Sequence, residues 1–367
     1  MSISDKKIKK FIFTGATACL LFLVLCMGIV YYIDPFFHYH GPIDGFMYVI
    51  DNQLTQNPGM AEHFDYDSVI LGSSMTVNFE TDWFADELGL NTLKLSYSSA
   101  YPKDISNILE KIYMPRDDGS VRNIKNVFLG LDIVTYSGDV NETKYPLPQY
   151  LYDDNPLNDI NYLLNKDVLL NYCLRPIADP EPTNLSHIYA SWWTDEYYSE
   201  EWVLKNHDPI TEPNKEKLAE HAFDEPIRKN LTANIIPYIE AHPETEFDIF
   251  FPPYSILFFN DVLMDNRLEA TMNAYRTVAE ELKGYDNVRL FFFPAMTDVI
   301  SDLNNYADYT HYHPDINRYM TECFKNGDYE IGNTAKNSLE AYLERLTELI
   351  GVYDFEGLRS KLYEYHK

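Results

Sequence analysis

The chain has 367 residues, 46% of them hydrophobic and 15% aromatic, with 30 Tyr and 21 Phe. That much buriable surface excludes a disordered protein, and the length fits one large domain with an appendage better than two equal halves. Acidic residues outnumber basic ones 57 to 29, for a formal charge of -28, which argues against nucleic acid as a partner because phosphate contacts need clustered Lys and Arg.

Residues 11–33 (FIFTGATACLLFLVLCMGIVYYI) carry no charge over 23 positions. At about 1.5 Å per residue, a helix of that length spans the roughly 30 Å of bilayer hydrocarbon. Lys6, Lys7, Lys9 and Lys10 precede it and Asp34 closes it. The positive-inside rule therefore expects a cytoplasmic tail over 1–10, a single transmembrane helix over 11–33 and an extracytoplasmic remainder, with Tyr31 and Tyr32 at the outer interface. The competing interpretation is a cleaved signal peptide, but the apolar run exceeds a usual signal core and no small-x-small site lies between Gly28 and Pro35. No second apolar stretch reaches about 18 residues. The expected organisation is a juxtamembrane segment over 34–60 and a main domain over 61–367, tethered where lipids, wall polymers or surface glycans are the available substrates.

Along the main domain, residues 64–74 (FDYDSVILGSS), 91–97 (NTLKLSY) and 126–136 (NVFLGLDIVTY) read as strands, with helical spacing in 106–114. Between about 150 and 235 the rhythm breaks into an aromatic, Pro- and Asn-containing stretch with SWWTDEYYSEEW at 191–202, expected as an inserted cap. Trp192, Trp193 and Trp202 there either offer stacking surfaces for sugars or staple the cap to the core. Two further strands follow at 246–255 (EFDIFFPPYS) and 287–296 (NVRLFFFPAM), flanking a helix over 261–285. Near-continuous apolar strands separated by helices imply an α/β fold with a parallel sheet covered on both faces. Residues 337–367 read as a packing helix and a short tail.

Four cysteines are too few for a disulfide framework: Cys19 and Cys26 fall in the apolar run, and Cys173 and Cys323 are one long-range bridge or two buried thiols. The pairs His38/His40 and His311/His313 lack a third ligand at motif spacing, so no metal and no cofactor is expected. Sequons at Asn141, Asn184 and Asn230 decide nothing.

Two motifs carry chemistry. Gly72-Ser73-Ser74-Met75 sits where a strand turns into a helix or loop, which exposes a hydroxyl and frees backbone N–H groups for a developing oxyanion. Asp308-Tyr309-Thr310-His311 sets a carboxylate three residues before an imidazole, close enough to orient the ring and stabilise its charged form. In this order and at these ends of the domain the two motifs resemble the SGNH or GDSL hydrolase superfamily, over about residues 65–320. The resemblance implies a flavodoxin-like three-layer sandwich and a serine mechanism with Ser74, Asp308 and His311 as catalytic groups. Ser73 stands where the family usually has Asp. The stretch 94–100 lacks the usual oxyanion Gly, so a backbone amide near Ser96 is the expected substitute, beside that of Ser74. Asp132, after Gly130, replaces the usual Asn and donates only when protonated. Tyr254, Trp192 and Trp193 are the candidate substrate contacts.

Within the superfamily the chain is similar to a membrane-anchored extracytoplasmic subset that includes the teichoic-acid D-alanyl transfer protein and the alginate O-acetylation proteins. That likeness implies a membrane-bound O-acyltransferase as partner and a cell-envelope glycan or polymer as acceptor. The expected activity is that of a serine esterase or O-acyltransferase. The alternative is a non-catalytic scaffold of the same fold that binds a glycan or the acyltransferase.

Overall fold

The computed structural model describes residues 3–115 and 119–367. They form two compact units, one of Met1–Phe64 with Pro146–Asn184 and one of Asp65–Tyr145 with Leu185–Lys367. The stretch expected as one cap over 150–235 is thus divided between them, and the juxtamembrane residues belong to the first.

The first unit begins with the helix Ile3–Ile33, of which Lys6–Ile33 is long and apolar enough to cross a membrane. Asp34 ends it in a left-handed conformation, φ 46°. Its fully buried carboxylate accepts the amides of His38, Tyr39 and His40 at 3.0, 2.6 and 2.9 Å, and the Tyr162 hydroxyl at 2.8 Å. A charge out of water needs such donors, and these fix the turn that follows the helix. The helix Gln53–His63 packs backbone to backbone on that turn: a Cβ on Gly59 would fall 2.2 Å from the Phe36 carbonyl.

The second unit is built on five parallel strands: β1 (Ser68–Leu71), β2 (Thr92–Lys94), β3 (Asn126–Gly130), β4 (Glu246–Phe251) and β5 (Val288–Phe292). Their order is β2-β1-β3-β4-β5, with Ser68 opposite both Thr92 and Asn126, and Asn126 opposite Glu246. This is the flavodoxin-like order, and the fold is the expected α/β one.

Both faces are covered, as the apolar strands require. On one face Phe84, Phe128, Phe250, Phe291 and Phe293 surround Phe324, which the helix Pro314–Asn326 supplies. The side chains alternate along a strand, so Phe251 and Phe292 point the other way, onto Tyr275 of the helix Leu268–Leu282.

Two boundaries differ from expectation. The helix expected over 261–285 is two, Ile256–Met264 and Leu268–Leu282, broken where Asn266 turns left-handed at φ 53°, a conformation that Asn tolerates better than most residues. The expected C-terminal tail is itself helical, Phe355–Tyr365, capped by Asp354, which accepts the Gly357 amide at 2.9 Å.

Candidate active site

β1 delivers the Ser74 turn. Gly72 adopts φ 141°, and a Cβ there would stand 2.7 Å from a Thr76 methyl and 3.1 Å from the Gly130 carbonyl, so only glycine lets β1 turn this close to β3. Ser73 caps the single turn Ser74–Thr76 by accepting the Met75 amide at 3.2 Å. Ser74 opens that turn, half-buried, at the carboxyl end of the sheet. Beside it, Asp132 follows the end of β3, and Tyr254 and Ser255 follow the end of β4. In this strand order ligands gather outside the carboxyl ends, at the β1/β3 switch point.

The loop after β5 brings the other motif. Ala307 and His311 are bonded through the backbone at 2.8 Å, and Tyr306 pairs with Tyr312. Three hydroxyls pin this loop: Tyr306 donates to the Pro253 carbonyl at 2.6 Å, Ser255 to that of Tyr309 at 2.6 Å, and Tyr312 to that of Met75 at 2.9 Å. The last bond ties it to the Ser74 turn.

Ser74 Oγ lies 2.7 Å from His311 Nε2, and His311 Nδ1 lies 2.6 Å from Asp308 Oδ2. The other Asp308 oxygen accepts the Thr310 and His311 amides at 2.8 and 2.7 Å. Burial alone would raise the Asp308 pKa, but the His311 ring and these amides outweigh it and hold the carboxyl below the usual carboxylate range. An ionised Asp308 only accepts, so Nδ1 carries its proton and Nε2 presents a lone pair to the Ser74 hydroxyl.

The remaining expected residues separate. Trp192 packs on His311, with ring centroids 4.3 Å apart and planes at 30°. Its loop is held by Asn78, which accepts the Ser191 amide at 2.9 Å, and by Tyr198, whose hydroxyl bonds the Trp192 carbonyl at 2.6 Å. Trp193 stacks instead on Trp83 and meets His187 edge-on, and Trp202 meets Tyr197; both act as staples. A ring stacked over the imidazole restricts its rotation and holds Nε2 on Ser74. Trp192→Ala is expected to lower kcat on the order of 10-fold with KM little changed, in steady-state kinetics.

Tyr254, expected at the site mouth, is only 5% exposed, and its hydroxyl donates to Asp132. Ser73 donates to Asp132 as well. Burial pushes the Asp132 carboxyl up, against the opposing pull of these two hydroxyls and of His311. Ser96 is fully buried behind the turn, with its Oγ 2.7 Å from Thr76 Oγ1. Leu95 and Tyr97 give their amides to Ile70 and Gly72, so the ladder's alternation turns the Ser96 amide away from β1. The glycine-like backbone of this stretch is instead at exposed Ser99, φ 60°. Sequence reasoning missed it because serine hides a left-handed position.

Lys94 was missed too. It is fully buried at the end of β2, and its Nζ donates to the carbonyls of Val77, Phe79 and Ser186 at 2.8, 2.7 and 3.2 Å, bracing the segment after Ser74. Burial lowers its pKa to about 7. The unfolded chain then binds more protons from about pH 7 up to the ordinary lysine value, so this group's contribution to stability rises with pH across that window and is least favourable below it. Lys94→Met orphans three carbonyls at about 1–3 kcal/mol each, and denaturant unfolding at pH 6 and pH 9 is expected to show a clear loss and a weaker pH dependence.

No protein-family model matches the chain, and no curated protein sequence matches it. Among solved structures it is similar to "The structure of a putative platelet activating factor from Streptococcus pneumonia", at 12% identity and a TM-score of 0.39, over 76% of this chain and 90% of that one.

Proposed function

We propose that the chain is a serine esterase or O-acyltransferase of the SGNH type, anchored by its N-terminal helix and acting outside the cell on acyl groups of a cell-envelope or exported polysaccharide. The observation that carries this is the unbroken chain from Ser74 Oγ through His311 to Asp308, with links of 2.7 and 2.6 Å. A surface Asp–His pair has no reason to meet a serine on a glycine-dependent turn 237 residues away.

Ser74 Oγ attacks the acyl carbonyl carbon while His311 Nε2 takes its proton, and Asp308 stabilises the imidazolium. The C–O bond to the leaving alcohol breaks as His311 returns the proton to it, leaving an acyl-serine. Water or a sugar hydroxyl, deprotonated by the same imidazole, then releases the acyl group. The oxyanion meets the Ser74 amide, which as the first of its turn has no partner within it, and Asp132 in its neutral form, whose O–H replaces the amide N–H of an Asn. The acyl donor in the transferase case is a membrane-bound O-acyltransferase partner.

The raised Asp132 pKa gives a testable sign. As pH climbs Asp132 ionises, the donor is lost and turnover falls. Asp132→Asn keeps a donor at every pH, so it is expected to retain turnover and to lose this decline with rising pH; a collapse at all pH values would mean that Asp132 serves as a carboxylate. The proposal as a whole is tested by hydrolysis of a chromogenic acetyl ester by the full chain in detergent, and absence of any Ser74-dependent turnover, with or without a sugar acceptor, counts against it.

A further inference from the structure

The first unit carries a second apolar surface beside its long helix. The last turns of Ile3–Ile33 bury Cys26, Val30 and Ile33, a single face at i, i+4 and i+7. The short helices Ile160–Leu163 and Val168–Leu174 pack against the same long helix. Yet Cys26 to Ile33 is still part of the uncharged run that begins at Phe11. At about 1.5 Å per residue that run is about 35 Å long, against a hydrocarbon core of roughly 30 Å. An element that covers the helix from Cys26 outward therefore reaches the depth of the outer leaflet.

That element turns three large apolar side chains outward, beside exposed Asn171 and Arg175. Along Val168–Ala178, Val168, Cys173 and Pro176 face inward, while Leu170, Leu174 and Ile177 are exposed, again at i, i+4 and i+7. Just before it Leu157 is 85% and Ile160 53% exposed, and exposed large apolar groups clustered in one stretch point to an interaction surface. Lys166 and Arg175, both exposed on the same stretch, are long enough to reach a phosphate layer while their stems stay in an apolar one.

We propose that Val168–Ala178 is an in-plane membrane helix, with Leu170, Leu174 and Ile177 seated in the acyl region of the outer leaflet next to the spanning helix. The occupant is the phospholipid bilayer, because the patch continues the lipid-facing surface of a helix long and apolar enough to cross it. Two contact elements in place of one also restrict the tilt and rotation that a lone span leaves free. The proposal needs the crossing but not the serine chemistry, so it stands or falls separately from the enzymatic assignment.

The test places spin labels singly at Leu170→Cys, Leu174→Cys and Ile177→Cys in the full chain with Cys19→Ala, since Cys26, Cys173 and Cys323 are buried. The protein is held in nanodiscs of phosphatidylcholine and phosphatidylglycerol, with Leu20→Cys as the marker of the span and Lys217→Cys as the marker of water. Collisions with oxygen are expected to exceed those with a water-soluble nickel chelate several-fold at all three positions, as at Leu20. Nickel-dominated collisions there with Leu20 still in lipid would overturn the proposal. So would dipolar broadening that reveals a second copy over the patch, or a Leu20 label in water, which removes the span itself.

Discussion

Ser74→Ala is expected to lower ester turnover by about 100,000-fold or more, with His311→Ala nearly as damaging and the double variant little worse than either. Residues that act as one unit are strongly non-additive, because losing the nucleophile or its base each abolishes the covalent route. The substitutions should leave the fold intact. Ser74 is half-buried and bonded through its side chain to His311, and neither position fills the aromatic core around Phe324. Circular dichroism and thermal unfolding that match the unaltered chain, alongside lost turnover, assign the loss to chemistry. If Ser74→Ala keeps its activity, the hydroxyl is not the nucleophile.

Asp308→Asn is the second large effect, about 10,000-fold in kcat. An asparagine amide in place of the carboxylate offers a donor to Nδ1, which drives the imidazole to the tautomer with its proton on Nε2 and takes the lone pair from Ser74. The two backbone amides at 2.8 and 2.7 Å still find an oxygen at that position, so the loop is expected to keep its shape. The same carboxylate links the site to acid sensitivity. Its folded-state pKa lies below the ordinary value, so its contribution to stability is complete above the unfolded pKa of about 3.9 and is lost as pH falls through the lower folded value. Unfolding midpoints of the unaltered chain and Asp308→Asn should therefore converge on going from pH 6 toward pH 3.

The sheet was legible because its strands are largely apolar on both faces: Val69, Ile70 and Leu71, or Phe247 and Ile249 to Phe251, leave few other places to go. The Ser74 turn and the Asp308–His311 loop were legible as motifs, and the structure brings them together. What escaped depends on conformation and not on residue type. Ser99 does the work of a glycine without being one, and Asn266 splits a helix whose periodicity runs through it. Tyr254 looks like an exposed aromatic after Pro252-Pro253 until its hydroxyl finds Asp132. Lys94, in an apolar strand, has no signal beyond its own oddity, because its three carbonyl partners come from positions 77, 79 and 186. The division of residues 150–235 between two units escaped as well, since the aromatic composition of that stretch is uniform while its packing partners are not.

The most direct measurement of the central claim is labelling of the full chain with a fluorophosphonate, followed by mass spectrometry of the modified peptide. A reactive serine mechanism predicts one adduct, on Ser74, that disappears in Ser74→Ala and in His311→Ala while both variants remain folded. A folded chain that takes no label, or takes it elsewhere, would contradict the mechanism and leave a scaffold of this fold as the better description.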